Sequence, residues 1–247
     1  MILAAGYGTR LRPLTDQKPK ALVEVNGISL LEIVIKKLIA SGVTEIIINT
    51  HHLSEQIVAF LKSKNNFGIR VELSHENEIL GTGGGLKQAS YFFDDAQPFF
   101  LHNVDIFSTI DLRHLYQFHL DRNALATLAI QTRESNRYFI VDDQNNICGH
   151  GDLENQRIRL PRKPVGSSHP MGFCGIHVIS PKIFEFIESS GRFSIVDLYL
   201  KLIEKDLPII GYPADGFYWK DIGKLETLQE IQRDLDGGVI RHENLTF

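Results

Sequence analysis

Short apolar runs and helical periods take turns along the first hundred residues, and that alternation is the strongest constraint on the fold. Ile2-Leu3-Ala4-Ala5-Gly6 is an apolar run ended by glycine, the pattern of a buried strand entering a loop. Residues 29–40 place Leu30, Leu31, Val34, Ile35, Leu38 and Ile39 on one helical side, with Gly42 beyond. Ser29 and Glu32 have capping-box spacing. Residues 45–50 read as a strand, 54–61 as an amphipathic helix and 69–74 as a third strand. A glycine-rich turn at 81–85 leads into a helix ending near Phe93, and 99–103 reads as a fourth strand. The alternation predicts an α/β fold: a Rossmann-like three-layer sandwich with a mostly parallel central sheet. Ligands of such sheets bind beyond the carboxyl ends of the strands. The loops at 6–20, 81–85 and 103–107 all follow strands and are expected to converge there.

The second half is less regular. Residues 111–121 read as a helix, 125–132 as a strand, and 138–142 with 146–149 as a hairpin. Residues 158–170, rich in Pro, Arg, Lys and Ser, read as a mobile loop before a strand at 171–179. Helices are expected at 182–188 and at 195–205, the latter capped by Ser194. Short strands at 207–212 and 217–221 precede a last helix at 225–235. Neither an internal repeat nor a low-complexity linker is visible. The expectation is one domain over 1–247, with a nucleotide-binding half at 1–110 and a sugar-phosphate-binding half at 111–247.

Composition narrows the partners. A net charge of −4 argues against broad nucleic-acid binding. Cys148 and Cys174 are the only cysteines, so no Cys-x-x-Cys metal or redox motif exists and a reducing compartment is expected. No basic leader opens the sequence, and no apolar run approaches the ~18 residues of a membrane span. A cytoplasmic protein without a membrane partner is expected, as a monomer or small homo-oligomer.

The chemistry concentrates in Leu3-Ala-Ala-Gly-Tyr-Gly-Thr-Arg-Leu-Arg-Pro-Leu-Thr-Asp-Gln-Lys-Pro-Lys20. Gly6 and Gly8 allow close backbone approach, and successive N–H groups in such a turn make a nest for phosphate oxygens. Thr9 adds a hydroxyl donor. Arg10, Arg12, Lys18 and Lys20 add positive charges suited to a triphosphate. No Gly-x4-Gly-Lys-Ser/Thr occurs, which excludes a P-loop. Leu11 stands where a dinucleotide fingerprint needs its third glycine, which opposes a dehydrogenase.

This string closely resembles the signature of the sugar-1-phosphate nucleotidyltransferases. Glu78-Ile-Leu-Gly-Thr-Gly-Gly-Gly-Leu86, His102-Asn-Val-Asp-Ile106, Gly175-Ile-His-Val-Ile179 and Trp219-Lys-Asp-Ile-Gly223 extend the resemblance over most of the chain. It is most similar to the branch holding N-acetylmuramate-1-phosphate uridylyltransferases and mannose- or heptose-1-phosphate guanylyltransferases. The resemblance implies a GT-A-like fold and transfer of a nucleotidyl group, UTP or GTP favoured, to a sugar 1-phosphate with release of pyrophosphate. Mg²⁺ is the implied cofactor, with Asp105 and Asp221 as its carboxylates. Lys20 is implied to contact phosphate, and Arg10 to grip the leaving pyrophosphate. Leu3, Ala4, Ala5, Gly6, Gly8, Thr9, Glu76, Gly81, Thr82, Gly83 and Asn103 are implied on the nucleotide side, with Glu76 near the base. Lys163 and Gly175 are implied at the sugar phosphate.

Some positions depart from the family. Arg162 stands where an acidic residue usually precedes the lysine, and Val104 replaces a glycine. Met1 stands directly before Ile2, giving a shorter first strand than the family's. One alternative keeps the enzyme class: a phosphocholine-type cytidylyltransferase would need an aromatic cage, for which Tyr138, Phe139, Phe173 and Trp219 are the candidates. Another is a catalytically silent nucleotide-sugar-binding protein, which loss of a metal aspartate or Lys20 would mark; none is lost. Cys174 reads as a small buried hydrophobe, and His51-His52 as structural or peripheral.

Overall fold

The Ser29 hydroxyl accepts the Glu32 N–H at 3.2 Å, so the first long helix starts where the capping spacing predicts. This is a feature of a computed structural model that describes residues 1–241. In chain order its strands are β1 (Ile2–Leu3), β2 (Glu24–Val25), β3 (Ile28–Ser29), β4 (Glu45–Thr50), β5 (Arg70–His75), β6 (Phe99–Asn103) and β7 (Ile106–Ser108). They continue with β8 (Ala126–Gln131), β9 (Arg137–Asp142), β10 (Ile147–Asp152), β11 (Arg157–Arg159), β12 (Ser168–Ile179), β13 (Ile209–Pro213) and β14 (Trp219–Asp221). The helices are α1 (Leu30–Ala40), α2 (Ser54–Ser63), α3 (Gly81–Gln88), α4 (Leu112–Asp121), α5 (Ile195–Glu204) and α6 (Leu225–Asp236). No helix among the described residues is long and apolar enough to cross a membrane.

The chain divides into two units. Among the described residues, the first takes Met1–Ile79, His102–Leu112 and 217–241; the second takes Leu80–Leu101 and Arg113–Gly216. The α/β class holds, and the parallel pairing read from the alternation belongs to the first unit. There β5, β4, β1 and the last residues of β6 pair in parallel, with Leu3 between Asn49 and Asn103. Ile46, Ile47 and Ile48 are buried, as strands covered on both faces require.

The C-terminal segment returns to this unit to form a ribbon and cover the N-terminal loop. β14 pairs antiparallel with β7, and α6 brings Ile231 and Leu235 onto Leu11, Phe107 and Ile222. Leu11 is fully buried in this cluster. A buried leucine contributes roughly 1.5–3 kcal/mol, so the residue that replaces the fingerprint glycine anchors the loop to the core. Beneath β7, the buried Lys37 amine donates to the Ser108 carbonyl at 2.5 Å and its hydroxyl at 2.9 Å. Burial pulls the Lys37 pKa down to about 7.

In the second unit β11, β10, β9, β12 and β8 pair antiparallel in that order, and β13 runs parallel to β8. The segment read as a mobile loop is tied down. It contains the last two residues of β11 and the first residues of β12, and Val165 and Ser167 donate their N–H groups to Asp142 at 3.1 Å and Asp143 at 2.8 Å. Arg162 donates to the Leu207 carbonyl at 2.8 Å, which accounts for a cation where the family carries an acid. Two further expectations change. The glycines at 81–85 lie inside α3, and the helix expected at 182–188 is a 3₁₀ stretch, Pro181–Phe186.

Candidate active site

The first unit builds one constellation from four segments. β1 runs out into the glycine loop, where Gly8 has φ +66° and opens the 3₁₀ turn Thr9–Leu11. A Cβ on Gly8 would lie 3.0 Å from Lys20 Cβ and from Thr15 Cγ2, so the loop folds closely over Lys20. Thr15 closes it by donating to the Gly8 carbonyl at 2.9 Å. Pro19, extended at φ −62°, precedes Lys20 and directs it inward.

Asp105 sits in the turn between β6 and β7 and is ion-paired with Lys20. Both side chains are largely buried, at 11% and 21% exposure, which distinguishes the pair from the solvated bridges of the surface. Asp221 ends β14 opposite Ile106, the residue after Asp105. The Ile222 N–H donates to the Asp105 carbonyl at 2.8 Å, completing the link. Two aspartates far apart in sequence therefore occupy adjacent strand ends. The Arg10 guanidinium lies over Gly223; a Cβ there would meet its Nη2 at 2.7 Å. Any side chain at 223 would displace the arginine.

The four loop cations divide into two kinds. Arg12 pairs with Asp16 at 3.1 Å and Lys18 with Glu24 at 2.8 Å, both on the surface. Lys20 is directed to Asp105, while Arg10 lies over Gly223, two residues after Asp221, and pairs with no carboxylate among the described residues. The donor set suits Mg²⁺, which takes one or two carboxylates and fills its octahedron with water and substrate phosphate. Among the described residues no cluster of three or more His, Cys, Asp or Glu could hold a metal by itself.

Behind the loop runs a polar chain that sequence reading missed. The Ala4 N–H donates to Asn49 Oδ1 at 2.7 Å, and Asn49 Nδ2 donates to Glu76 Oε1 at 2.7 Å. Glu76 and Asn49 are buried, at 1% and 3% exposure. The expected base-side carboxylate thus faces inward. The Glu76 carbonyl also bonds His51 Nδ1 at 2.7 Å, so Nδ1 carries the proton. His51 Nε2 then accepts from the Tyr7 hydroxyl at 3.1 Å. The sequence signal for Asn49 was a polar residue directly after the apolar run Ile46-Ile47-Ile48.

Gly81, Thr82, Gly83, Lys163 and Gly175 belong to the second unit. Gly81 has φ +71°, and a Cβ on it would lie 2.7 Å from the Phe193 carbonyl. Gly83 lies against the Phe193 ring, and the Thr82 hydroxyl accepts the Ile195 N–H at 2.9 Å. Packing against the segment before α5 therefore accounts for these residues within the unit. Gly175, at φ +70°, lies where β12 shifts register against β8, a bulge that needs glycine. Lys163 is exposed. Cys174 is buried and its thiol is pushed up to about 12, mainly by burial, which opposes a nucleophilic role. Of the proposed cage, Phe139 is buried against Phe173, and the Tyr138 ring occupies the space above Gly151.

The profile of the Nucleotidyl transferase family matches residues 1–237. The chain is 32% identical over 228 residues to the mannose-1-phosphate guanyltransferase of Candida albicans, a match that takes 91% of this chain and 60% of that protein. It is 29% identical over 243 residues to the UTP–glucose-1-phosphate uridylyltransferase of Synechocystis sp., with the same shares of 91% and 60%. The chain thus spans about 60% of the length of these relatives. Among solved structures, UDP-glucose pyrophosphorylase complexed with UDP-glucose superposes with a TM-score of 0.78 at 18% identity, covering 96% of this chain and 97% of that one. HddC from Yersinia pseudotuberculosis gives a TM-score of 0.74 at 23% identity, covering 94% and 97%. At those identities the superpositions speak for the fold.

Proposed function

The chain belongs to the nucleotidyl transferase family, and from that premise we propose that it transfers a nucleotidyl group, from UTP or GTP, to a sugar 1-phosphate in a Mg²⁺-assisted reaction. The observation that carries the reading is the placement of Asp105 and Asp221 at adjacent strand ends, with Lys20 paired to Asp105 and Arg10 lying over Gly223 beside Asp221. The names of the relatives, guanylyl- and uridylyltransferases of sugar 1-phosphates, support the substrate classes.

In the proposed reaction an oxygen of the sugar phosphate attacks the α-phosphorus of the nucleotide in line. The bond from that phosphorus to the bridging oxygen breaks, and pyrophosphate leaves with the electron pair. The nucleophile is already anionic, so no general base is needed. The residues position groups and neutralise charge. The Gly6–Gly8 backbone and Thr9 receive phosphate oxygens, Lys20 steadies charge on the transferring phosphoryl group, and Arg10 grips the pyrophosphate bidentately. Leu3, Ala4, Ala5 and Asn103 line the nucleotide at the strand ends. Asp105 and Asp221 would hold Mg²⁺, which when bound offsets phosphate charge as a Lewis acid. From the second unit, Gly81, Thr82 and Gly83 are assigned to the nucleotide side, and Lys163 and Gly175 to the sugar phosphate. A cytoplasmic enzyme acting without nucleic-acid or membrane partners completes the reading.

The test is pyrophosphate release with Mg²⁺, for the four nucleoside triphosphates crossed with N-acetylmuramate-, mannose-, heptose- and glucose-1-phosphate. Release confined to one pair, and lost in Asp105→Ala, would name both substrates. Silence across the panel, with nucleotide still bound, would move the chain to a binding role.

A further inference from the structure

Lys37 is buried in the first unit, at 5% exposure, and has no role in the chemistry proposed above. Its amine donates twice to one residue, to the Ser108 carbonyl at 2.5 Å and to the Ser108 hydroxyl at 2.9 Å. Ser108 ends β7 and is itself buried, at 3% exposure. Two bonds to one residue hold both its backbone and its side-chain rotamer. We infer that Lys37 is a positioning residue for the metal carboxylate Asp221, acting through Ser108 and the β7–β14 ribbon; the inference rests on the metal-binding reading above.

The path is short. β7 and β14 form a two-stranded sheet of their own, outside the ladder of the parallel strands. Ser108 lies opposite Trp219, Phe107 opposite Lys220 and Ile106 opposite Asp221. Beyond Ser108, the Thr109 N–H donates to the Tyr218 carbonyl at 2.9 Å, and the Tyr218 N–H donates to the Thr109 hydroxyl at 3.0 Å. The ribbon is therefore one bonded piece, and its seat on α1 decides where Asp221 lies beside Asp105. Phe107 and Ile222 pack with Leu30 and Ile33 of α1, but apolar contacts are non-directional. The Lys37 bonds are directional and fix the seat of the ribbon. Holding an amine here opposes folding. Burial pulls the Lys37 pKa down to about 7, with Asp111 opposing the shift, and His102 on β6, close enough to feel the Lys37 charge, stays neutral down to about 3. A methionine would fill the same space without that penalty.

Two variants test the tie. Lys37→Met keeps most of the stem and removes the donor, whereas Ser108→Ala removes the hydroxyl and keeps the carbonyl. Mn²⁺ affinity without nucleotide is followed by electron paramagnetic resonance, and turnover by pyrophosphate release over a range of Mg²⁺. A displaced Asp221 should weaken Mn²⁺ binding by about tenfold in Lys37→Met and by about threefold in Ser108→Ala. Turnover at low Mg²⁺ should fall by similar factors and recover at saturating Mg²⁺, a rescue that a general packing defect would not show. The thermal midpoint of Lys37→Met at about pH 6 should not fall, because the buried charge is gone. The wild type should gain stability as pH rises from about 7 towards about 10, since the unfolded chain keeps the proton longer, and Lys37→Met should lack that gain. Unchanged Mn²⁺ affinity in a folded Lys37→Met, or turnover that Mg²⁺ does not rescue, would overturn the inference. If Lys37→Met fails to fold, Ser108→Ala decides alone, and Mn²⁺ affinity equal to that of the wild type would overturn it. Wild-type protein that neither binds Mn²⁺ nor releases pyrophosphate would instead remove the metal-binding reading, and this inference with it.

Discussion

Lys20 and Asp105 are ion-paired within the candidate active site, so the lysine occupies one side of a carboxylate assigned to a divalent cation. A divalent cation bound there would compete with Lys20 for Asp105. A metal arriving with a nucleotide would hand Lys20 over to phosphate oxygens.

Lys20→Met should therefore act in opposite directions on two measurements. Turnover should fall by about 10²–10³-fold, the usual loss when one preorganised charge donor is removed. Mn²⁺ affinity without nucleotide, followed by electron paramagnetic resonance, should tighten by about tenfold because a nearby positive charge is gone. Unchanged Mn²⁺ binding would separate Asp105 from the metal.

Asp221→Asn keeps the shape of β14 and removes a charge. It should weaken Mn²⁺ binding and lower kcat by about a hundredfold or more, with little change in thermal midpoint. A large loss of stability with normal Mn²⁺ affinity would make Asp221 a strand-end residue only.

Gly81→Ala should cost about 2 kcal/mol of stability in urea unfolding. It meets both a positive φ of +71° and the Phe193 carbonyl 2.7 Å away. Gly216→Ala, with nothing within 4 Å of its Cβ, should stay within about 0.5 kcal/mol. Equal effects would mean that the segment before α5 does not fix Gly81.

Much of this was legible in sequence. Strand endings followed by glycine, proline and basic residues located the loop, and the spacing of Ser29 and Glu32 located a helix start. The invisible part lay in long-range pairing. Nothing local says that Asp221 will lie beside Ile106, since strand register is set by burial in the finished core. The inward orientation of Glu76 was hidden for the same reason: its partner Asn49 lies on another strand. The glycines of α3 read as a turn because their reason is the neighbouring Phe193, and the segment at 158–170 read as mobile because Asp142 and Asp143 hold it from a distance.

Acid should destabilise the fold through buried histidines. His119 bonds Thr127 at 2.9 Å, and burial lowers its pKa from 6.5 to about 4. His102 is lowered to about 3, by burial first and then by the Lys37 charge. In both cases the unfolded chain takes up the proton first. Stability is therefore full above about 6.5 and is lost as pH falls towards 4. His119→Gln should flatten that slope in urea midpoints measured between about pH 7 and about pH 4, by roughly 3 kcal/mol at the acid end. An unchanged slope would assign the acid sensitivity elsewhere.

The return of β14 to β7 also has a consequence for biosynthesis. A ribosome would deliver Asp105 roughly ten seconds before Asp221, at ordinary elongation rates. During that interval the emerging polypeptide carries the glycine loop and Lys20 but not the second carboxylate, nor the helix that covers Leu11. The nascent chain can close its parallel strands early, yet the second carboxylate joins Asp105 only once β14 has been made.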